Sequence, residues 1–265
     1  MTAPKRVFIT GASSGIGYAL ALKFASAGDD VAVTARREDR LLELQSQVEA
    51  LPTPHGRLLP LVADVREADS VRDATRRMVE VFGGIDIVIA NAGLGQRGSL
   101  TDSAWEDIET LMRTNMDGVL HTIRETVPFM RKQGTGGHIL IVSSVVYNLV
   151  APYTASYSAS KAFVSSIAAS LRFELEPDHI HVTDVLVGRT ATEFNQKRLG
   201  QAGYASKAPR LPVMSIDYVA EKIFELSHKK KKRVTLRLLD RLIVWANMII
   251  PDVIGKRALR QYKTD

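Results

Sequence analysis

The chain has 265 residues, of which 45% are hydrophobic and 24% charged, with 18 Gly, 10 Pro and no Cys. These proportions exclude disordered and fibrous proteins, and the lack of Cys excludes a disulfide scaffold, an iron–sulfur cluster and a cysteine zinc site. The net charge of +6 is concentrated at one end, because residues 229–265 hold eleven Lys and Arg against three Asp. A nucleic-acid-binding surface spread over the whole chain is therefore not expected.

Short β-branched runs alternate with helix-like segments along most of the chain. Strands are predicted over residues 6–10, 30–35, 58–63, 85–90, 138–143 and 181–187, with a seventh at 234–237. Helices are predicted over residues 16–27, 39–50, 68–82, 155–176 and 216–227, and within the long region 102–132. This alternation is typical of an α/β fold. We expect one doubly wound, Rossmann-like domain over residues 1–265, in which helices cover both faces of a parallel seven-stranded sheet.

Three glycines follow the first predicted strand. Gly11, Gly15 and Gly17 have a G-x-x-x-G-x-G spacing, and a predicted helix comes directly after them. Such a loop lets the backbone approach a pyrophosphate, to which the helix N-terminus offers unpaired N–H groups. A simple tight turn would have the same spacing. The residues after the other strands help to decide between a pyrophosphate-binding loop and a simple turn. Doubly wound folds bind their ligands at the carboxyl edge of the sheet, where all these residues would meet.

The segment TGASSGIG at residues 10–17 resembles the cofactor loop of the short-chain dehydrogenase/reductase family. Further family motifs are matched by Asp64-Val65, Asn91-Ala92-Gly93, Asn115, Ser144 and the pair Tyr157 and Lys161. Val187 departs from the pattern, because the family usually has Pro before the glycine at this place. The resemblance implies a nicotinamide dinucleotide held by Gly11, Ser13, Ser14, Gly15, Ile16, Gly17, Arg36, Arg37, Asp64, Val65, Asn91, Ala92, Gly93, Tyr157, Lys161, Thr190 and Thr192.

The end of the second predicted strand bears on the choice between NADP and NAD. An acidic residue there would accept the ribose 2′-hydroxyl of NAD and repel the 2′-phosphate of NADP. This chain has Ala35 instead, followed by Arg36 and Arg37. A charge-assisted guanidinium–phosphate contact is worth about 1.5–3 kcal/mol. We therefore expect NADP(H) to be favoured over NAD(H); the alternative is that the two arginines are simply solvated at the start of a helix.

Tyr157 and Lys161 are four residues apart on a predicted helix, so their side chains share one face. A Tyr that acts as acid or base near pH 7 needs its pKa lowered by about three units, and one ammonium about 4 Å away supplies that much. The resemblance implies that Tyr157 exchanges a proton with the substrate oxygen while Lys161 lowers the Tyr157 pKa and binds the nicotinamide ribose. It further implies that Ser144 binds the substrate oxygen and that Asn115 holds a water of a proton relay. No metal is expected, and the six His show no metal-ligand spacing.

The residues around the expected reaction site are mostly apolar: Leu94, Val145, Val146, Tyr147, Leu149, Val150 and Tyr153. We therefore expect a small-molecule carbonyl or alcohol substrate, lipophilic rather than small and polar, although Arg97 or Arg189 could each supply one charge. The irregular residues 189–214 are predicted to be a lid. The functional hypothesis is an NADP(H)-dependent oxidoreductase of carbonyls and secondary alcohols. The alternatives are a catalytically silent nucleotide-binding scaffold and a peripheral membrane protein that acts through its tail.

Residues 238–262 are predicted to form an amphipathic helical extension with a kink at Pro251. Its apolar side could pack on the chain itself or on a sister subunit. Alternatively, it could join the basic run Lys229–Arg233 on an anionic membrane surface. Neither end resembles a targeting signal, so a cytoplasmic location is expected, with peripheral membrane contact as the alternative. The family resemblance implies a homodimer or homotetramer, and no nucleic-acid partner.

Overall fold

A seven-stranded parallel sheet organises the chain. The computed structural model describes residues 3–195, 198–200 and 213–260. The strands run in the order β3-β2-β1-β4-β5-β6-β7, and every neighbouring pair is parallel. Their bounds are β1 Arg6–Thr10, β2 Asp30–Ala35, β3 Leu58–Val62, β4 Ile87–Ala90, β5 Gly137–Ser144, β6 Ile180–Val187 and β7 Arg233–Thr235. The expected doubly wound fold is confirmed.

Nine α-helices lie in the described part of the chain. They are α1 Gly15–Ser26, α2 Glu38–Glu49, α3 Ala68–Phe82, α4 Trp105–Met112, α5 Gly118–Gln133, α6 Ala155–Glu174, α7 Ile216–Ser227, α8 Leu238–Ile249 and α9 Pro251–Arg260. The long region 102–132 is thus two helices, and a π-helical turn over Arg113–Asp117 joins them. Pro251 begins α9, where its missing N–H leaves no helix bond unmade. None of the helices that the structure describes is long and apolar enough to cross a membrane.

Alternate residues of the strands build a core on each face of the sheet. Val7 and Ile9 of β1 face one way and pack in a cluster with Phe24 of α1. Phe8 faces the other way, in a cluster with Met78 of α3. All five are fully buried. Because both faces are apolar, the strands are continuous hydrophobic runs, as parallel sheets require.

The order of the strands reverses between β1 and β4. From β1 the chain winds outward through β2 to β3, then returns to β4 on the other side of β1 and continues to β7. The loops after β1 and β4 therefore diverge, and a crevice opens between them at the carboxyl edge of the sheet. All of the sequence motifs that follow strands come to this edge.

Candidate active site

A cleft of about 580 Å³ opens at the carboxyl ends of the strands. Its walls include Ser144, Tyr157 and Lys161, three of the four residues predicted to be catalytic. Of the seventeen positions predicted to hold the cofactor, only Gly17 is absent from the lining. Residues far apart in sequence, from Gly11 to Thr192, are thus brought to one cavity. Asn115 and Gly17 lie behind its wall.

The glycine loop after β1 is packed too closely for side chains. Gly11 has φ +72°, and a Cβ there would lie 2.7 Å from the Ala92 Cα. A Cβ at Gly17 would lie 2.6 Å from the Gly11 carbonyl oxygen. Gly17 therefore allows α1 to approach the loop rather than contacting the cleft itself. The N-terminal N–H groups of α1 are left at the cleft, because Ser14, its N-cap, makes no side-chain capping bond.

Asn91 ties the loop after β4 to the glycine loop. Its side-chain Nδ2 donates to the carbonyl oxygens of Thr10 (2.9 Å) and Gly11 (3.2 Å). The backbone N–H groups of Asn91 and Ala92 both donate to the Thr10 hydroxyl, at 3.1 and 3.2 Å. These bonds hold the β1 and β4 ends together across the crevice.

Asp64, which lines the cleft, forms an ion pair with Arg66. Arg66 donates to both carboxylate oxygens, with Nη2 2.6 Å from Oδ2. Burial raises the pKa of Asp64, but these bonds outweigh it and hold the pKa below the usual value. Asp64 therefore remains an acceptor at neutral pH. Val65, beside it, accepts from His121 through its carbonyl oxygen at 2.9 Å if the ring nitrogen carries the proton.

The two arginines after β2 differ in their contacts. Arg37 is tied to the glycine loop, since its Nη2 donates to the Ser13 hydroxyl (3.0 Å) and the Ser14 hydroxyl (3.1 Å). Its Nη1 also lies 3.9 Å from the Oε2 of Glu193, which belongs to the predicted lid. Arg36 is exposed and lines the cleft without a hydrogen bond to any residue that the structure describes. Its positive charge helps to keep the pKa of Asp64 low.

Tyr157 and Lys161 meet at the cleft on successive turns of α6. The Lys161 Nζ lies 6.0 Å from the centre of the Tyr157 ring and donates to the Val142 carbonyl oxygen at 3.0 Å. Ser144, at the end of β5, donates from its Oγ to the Val187 carbonyl oxygen at 3.1 Å. It also interacts with Tyr157 in the direction that lowers the Tyr157 pKa. A hydroxyl, a phenol and an ammonium therefore lie along one wall.

The pKa of Tyr157 moves in the direction opposite to the expected one. Burial raises the Tyr157 pKa, although the interaction with Ser144 and the charge of Arg198 act to lower it. Burial also lowers the pKa of Lys161 to about 8, and Asp184 partly counters this shift. The expectation that Lys161 lowers the Tyr157 pKa assumed an ammonium about 4 Å away. Burial of Tyr157 outweighs the interactions that lower its pKa here.

Asn115 lies in the π-helical turn and is fully buried. Its Oδ1 accepts from the Leu94 N–H at 2.7 Å, and its Nδ2 donates to the Leu94 carbonyl oxygen and the Ser160 hydroxyl, both at 3.0 Å. Gly93 separates it from Lys161, because a Cβ on that glycine would lie 3.3 Å from the Asn115 Oδ1 and 3.5 Å from the Lys161 Nζ. In these contacts Asn115 positions the loop after β4.

Part of the predicted lid covers the reaction end of the cleft. The Phe194 ring packs against Tyr157, with ring centres 5.8 Å apart. Leu199 pairs with Gln96, and Met214 pairs with Thr190. Thr192, in the same segment, faces the glycine loop instead, with its methyl group 3.4 Å from where a Cβ of Gly15 would be. Residues 196, 197 and 201–212 of the predicted lid lie outside the described residues.

Six of the seven residues of the expected apolar lining divide between two cavities, and Tyr153 lines neither. Leu94, Val145 and Val146 line the main cleft. Tyr147, Leu149 and Val150 instead line a neighbouring pocket of about 290 Å³, together with Asn247 of α8. Tyr147 is held there by Arg233, whose guanidinium lies 4.9 Å from its ring centre. The sequence could not show this, because α8 contacts these residues only in the folded chain.

Comparison with known proteins identifies the family. The family model for short chain dehydrogenases matches residues 5–202. Sulfoacetaldehyde reductase 2 of Chromohalobacter salexigens is 35% identical over 224 residues, which are 82% of this chain and 86% of that protein. The Dehydrogenase/reductase SDR family protein 7-like of Drosophila melanogaster is 34% identical over 267 residues, covering 97% of this chain and 81% of that protein.

Solved structures agree with this assignment. An alcohol dehydrogenase from the archaeon Thermococcus sibiricus, complexed with 5-hydroxy-NADP, has a TM-score of 0.75 and 27% sequence identity, covering 88% of this chain and 96% of that chain. The glycine loop, the loop after β4 and the Tyr157–Lys161 wall all lie within the matched residues 5–202. This chain therefore belongs to the short chain dehydrogenase family, whose members are oxidoreductases of alcohol and carbonyl groups.

Proposed function

We propose that this protein is an NADP(H)-dependent oxidoreductase that interconverts a lipophilic carbonyl compound and its secondary alcohol. The observation that carries the proposal is the convergence of Ser144, Tyr157 and Lys161 on a cleft whose other end is a glycine loop. A dinucleotide long enough to extend from that loop to Tyr157 would have its reactive end beside the phenol. The silent-scaffold alternative has no support from these residues, since all four predicted catalytic side chains are present.

The residues of the cleft fit a dinucleotide. The close packing at Gly11 and the uncapped start of α1 leave backbone N–H groups for a pyrophosphate. Asp64 and Val65 would contact the adenine end, whereas Thr190 and Thr192 would contact the nicotinamide end. When bound, the nicotinamide supplies or accepts the hydride of the reaction.

Tyr157 is the proposed proton donor to the substrate oxygen. Its raised pKa keeps the phenol protonated at neutral pH, the form that carbonyl reduction needs. Ser144 donates a second hydrogen bond to the same oxygen and stabilises the negative charge that develops there. Lys161, with a pKa of about 8, remains mostly protonated near pH 7 and can return a proton to Tyr157. Asn115, which is hydrogen-bonded to the Leu94 backbone and the Ser160 hydroxyl, is proposed to hold the water that links Lys161 to solvent.

The residues at the end of β2 support a preference for NADP(H). Ala35 leaves no carboxylate at that position, and Arg36 is exposed at the cleft without a hydrogen bond to any described residue. The similar alcohol dehydrogenase of Thermococcus sibiricus is complexed with an NADP derivative. A guanidinium at this place favours the 2′-phosphate.

A lipophilic substrate is supported by Leu94, Val145, Val146 and Phe194, which lie around the Tyr157 hydroxyl end of the cleft. Arg189 and Arg198 line the same cleft, and the related sulfoacetaldehyde reductase is named for an anionic substrate. A small anionic carbonyl compound is therefore the competing class. A homodimer or homotetramer is proposed from the family alone.

The test is a panel of carbonyl compounds monitored by loss of NADPH absorbance. The panel pairs apolar ketones with small aldehydes that carry a sulfonate or carboxylate. We expect higher kcat/KM for the apolar members and for NADPH over NADH. Consistently higher values for the anionic members would move the substrate class to the second candidate, and no turnover with any member would favour the silent scaffold.

A further inference from the structure

The two C-terminal helices pack on the chain by one side only. On α8 this inner side holds Asp240, Val244 and Asn247, all of which are buried. Asn247 bridges to the loop after β5, because its Oδ1 accepts from the Val150 N–H at 3.1 Å and its Nδ2 donates to the Asn148 carbonyl oxygen at 2.5 Å. On α9, Gly255 lies so close to Val150 that a Cβ would be 2.7 Å from its Cγ1. The helices are therefore fixed to the body beside the cleft.

The opposite side of the same helices is apolar and exposed. We call it the outer face; it comprises Leu238, Leu242, Trp245, Met248, Ile249 and Val253. Trp245, at its centre, is 66% exposed. Leu238, Leu242, Trp245 and Ile249 follow helical spacing, so they form one continuous stripe along α8. Exposed apolar stripes of this size usually mark an interaction surface.

The charges around the outer face are almost all positive. Arg241 of α8 and Lys256, Arg257 and Arg260 of α9 are exposed. The two helices hold two acidic residues, of which Asp240 is buried and paired with Arg237 at 2.6 Å. Asp252 is the single exposed one. An apolar stripe with Trp at its centre and a basic rim is the pattern of a helix that lies in the surface of an anionic bilayer.

The basic run Lys229–Lys232 does not belong to this rim. The basic run comes directly before β7, whereas α8 begins three residues after the end of β7. Because β7 is parallel to β6, the basic run lies at the amino edge of the sheet and α8 at the carboxyl edge, beside the cleft. The sequence-based hypothesis joined the two on one surface; the fold separates them by the length of β7, about 10 Å for three residues.

We propose that the outer face docks on an anionic lipid surface, with Trp245 inserted and Arg241, Lys256, Arg257 and Arg260 against lipid phosphates. A second copy of this chain is the less suitable occupant. A two-fold contact places the same patch on both sides, so the basic rims would face each other. Like charges set against each other cost free energy at an interface. Docking does not depend on the proposed oxidoreductase activity.

Tryptophan fluorescence gives the first test, because the chain has two Trp residues. Trp105 on α4 is 69% exposed, much like Trp245, but lies next to Glu106 and Asp107. In Trp105→Phe the emission reports Trp245 alone, and we expect a blue shift with vesicles of phosphatidylcholine and phosphatidylglycerol but not with phosphatidylcholine alone. The matched variant Trp245→Phe should give no shift. Equal shifts with both vesicles, or none with either, overturn the proposal.

Vesicle co-sedimentation gives the second test and compares two basic pairs. Lys256→Gln with Arg257→Gln should weaken binding up to about thirtyfold, the factor that corresponds to about 1 kcal/mol for each basic residue near the surface. Lys230→Gln with Lys231→Gln changes the same charge at the other edge of the sheet and should weaken binding less than threefold. An equal or larger loss from the second pair overturns the assignment. The proposal is also overturned if, without vesicles, the mass in solution is twice that of one chain and the Trp245 emission is already blue-shifted. A second copy of the chain would then cover the outer face.

Discussion

Gly188, at the end of β6, lies directly against the Asp240 carboxylate of α8. A Cβ on Gly188 would be 2.1 Å from the Asp240 Oδ2. Asp240 is buried and is held by Arg237, whose Nη2 lies 2.6 Å from Oδ1 and whose Nε lies 3.2 Å from Oδ2. The C-terminal extension is therefore packed against the strand end that leads into Arg189 and Thr190. Gly188 therefore lets α8 pack against the end of β6, and it also lines the cleft.

Gly188→Ala should destabilise the protein by about 1–3 kcal/mol, the usual cost of forcing one methyl group into a packed site. The Asp240 carboxylate must move and its ion pair with Arg237 must stretch. Denaturant unfolding at neutral pH measures the effect. In an Asp240→Ala background the same methyl meets no carboxylate, so its cost should be smaller. Equal costs in the two backgrounds would show that the close approach does not govern this position.

Tyr157→Phe removes the proposed proton donor and keeps the aromatic ring against Phe194. We expect kcat to fall by about 10²–10⁴ while NADPH binding changes little, because proton transfer rather than cofactor contact is lost. Single-turnover kinetics and NADPH fluorescence titration measure the two quantities. Tyr218→Phe is the matched control, since Tyr218 lies on α7, does not line the cleft, and loses a hydroxyl that donates to the Leu236 carbonyl oxygen. Retention of most activity in Tyr157→Phe would remove the assignment.

Features set by short spacings were predictable from the sequence. Gly17 allows α1 to pack against the Gly11 carbonyl oxygen six residues before it, and Tyr157 and Lys161 share a helix face at a separation of four. Alternating apolar runs predicted the strands because both sheet faces are buried. Each of these depends on neighbours along the chain, which the sequence displays directly.

Features set by long-range packing were not predictable. Burial reverses the balance between Tyr157 and Lys161, and burial is a property of the folded chain. The contact of Asn247 with Asn148 joins residues 99 positions apart. That contact takes Tyr147, Leu149 and Val150 into the second pocket. The separation of the basic run from α8 likewise follows from the direction of a three-residue strand, β7.

His138 makes stability depend on pH. It is 7% exposed on β5, its Nδ1 is 3.0 Å from the Ser227 carbonyl oxygen, and its Nε2 is 2.8 Å from the Thr183 hydroxyl. Burial, aided by the positive charges of His181, His228 and Lys230, lowers its pKa from 6.5 to about 4. The unfolded chain therefore binds more protons than the folded one between these values.

The stability that neutral His138 contributes is complete above pH 6.5 and is lost as the pH falls toward 4. A difference of this size corresponds to about 3 kcal/mol. Denaturant unfolding between pH 7 and pH 4 measures the loss, and His138→Gln should flatten the slope. His55→Gln, in the loop before β3, should leave the slope unchanged. A His138→Gln protein with the wild-type slope would contradict the prediction, since His181, whose pKa is lowered by burial, would then account for it.

Arg36 and Arg37 provide a matched pair for cofactor choice, because they are adjacent and carry the same charge. Arg36 is exposed at the cleft, whereas Arg37 is bonded to Ser13 and Ser14 of the glycine loop. Arg36→Gln should therefore reduce kcat/KM with NADPH tenfold or more and leave NADH little changed, since a charge-assisted bond to the 2′-phosphate is lost. Arg37→Gln should weaken both cofactors together, because the loop that holds either pyrophosphate loses its support. Steady-state kinetics with the two cofactors give the ratios. A ratio for Arg36→Gln within twofold of wild type, or a cofactor-specific loss in Arg37→Gln alone, would assign the phosphate to Arg37 instead.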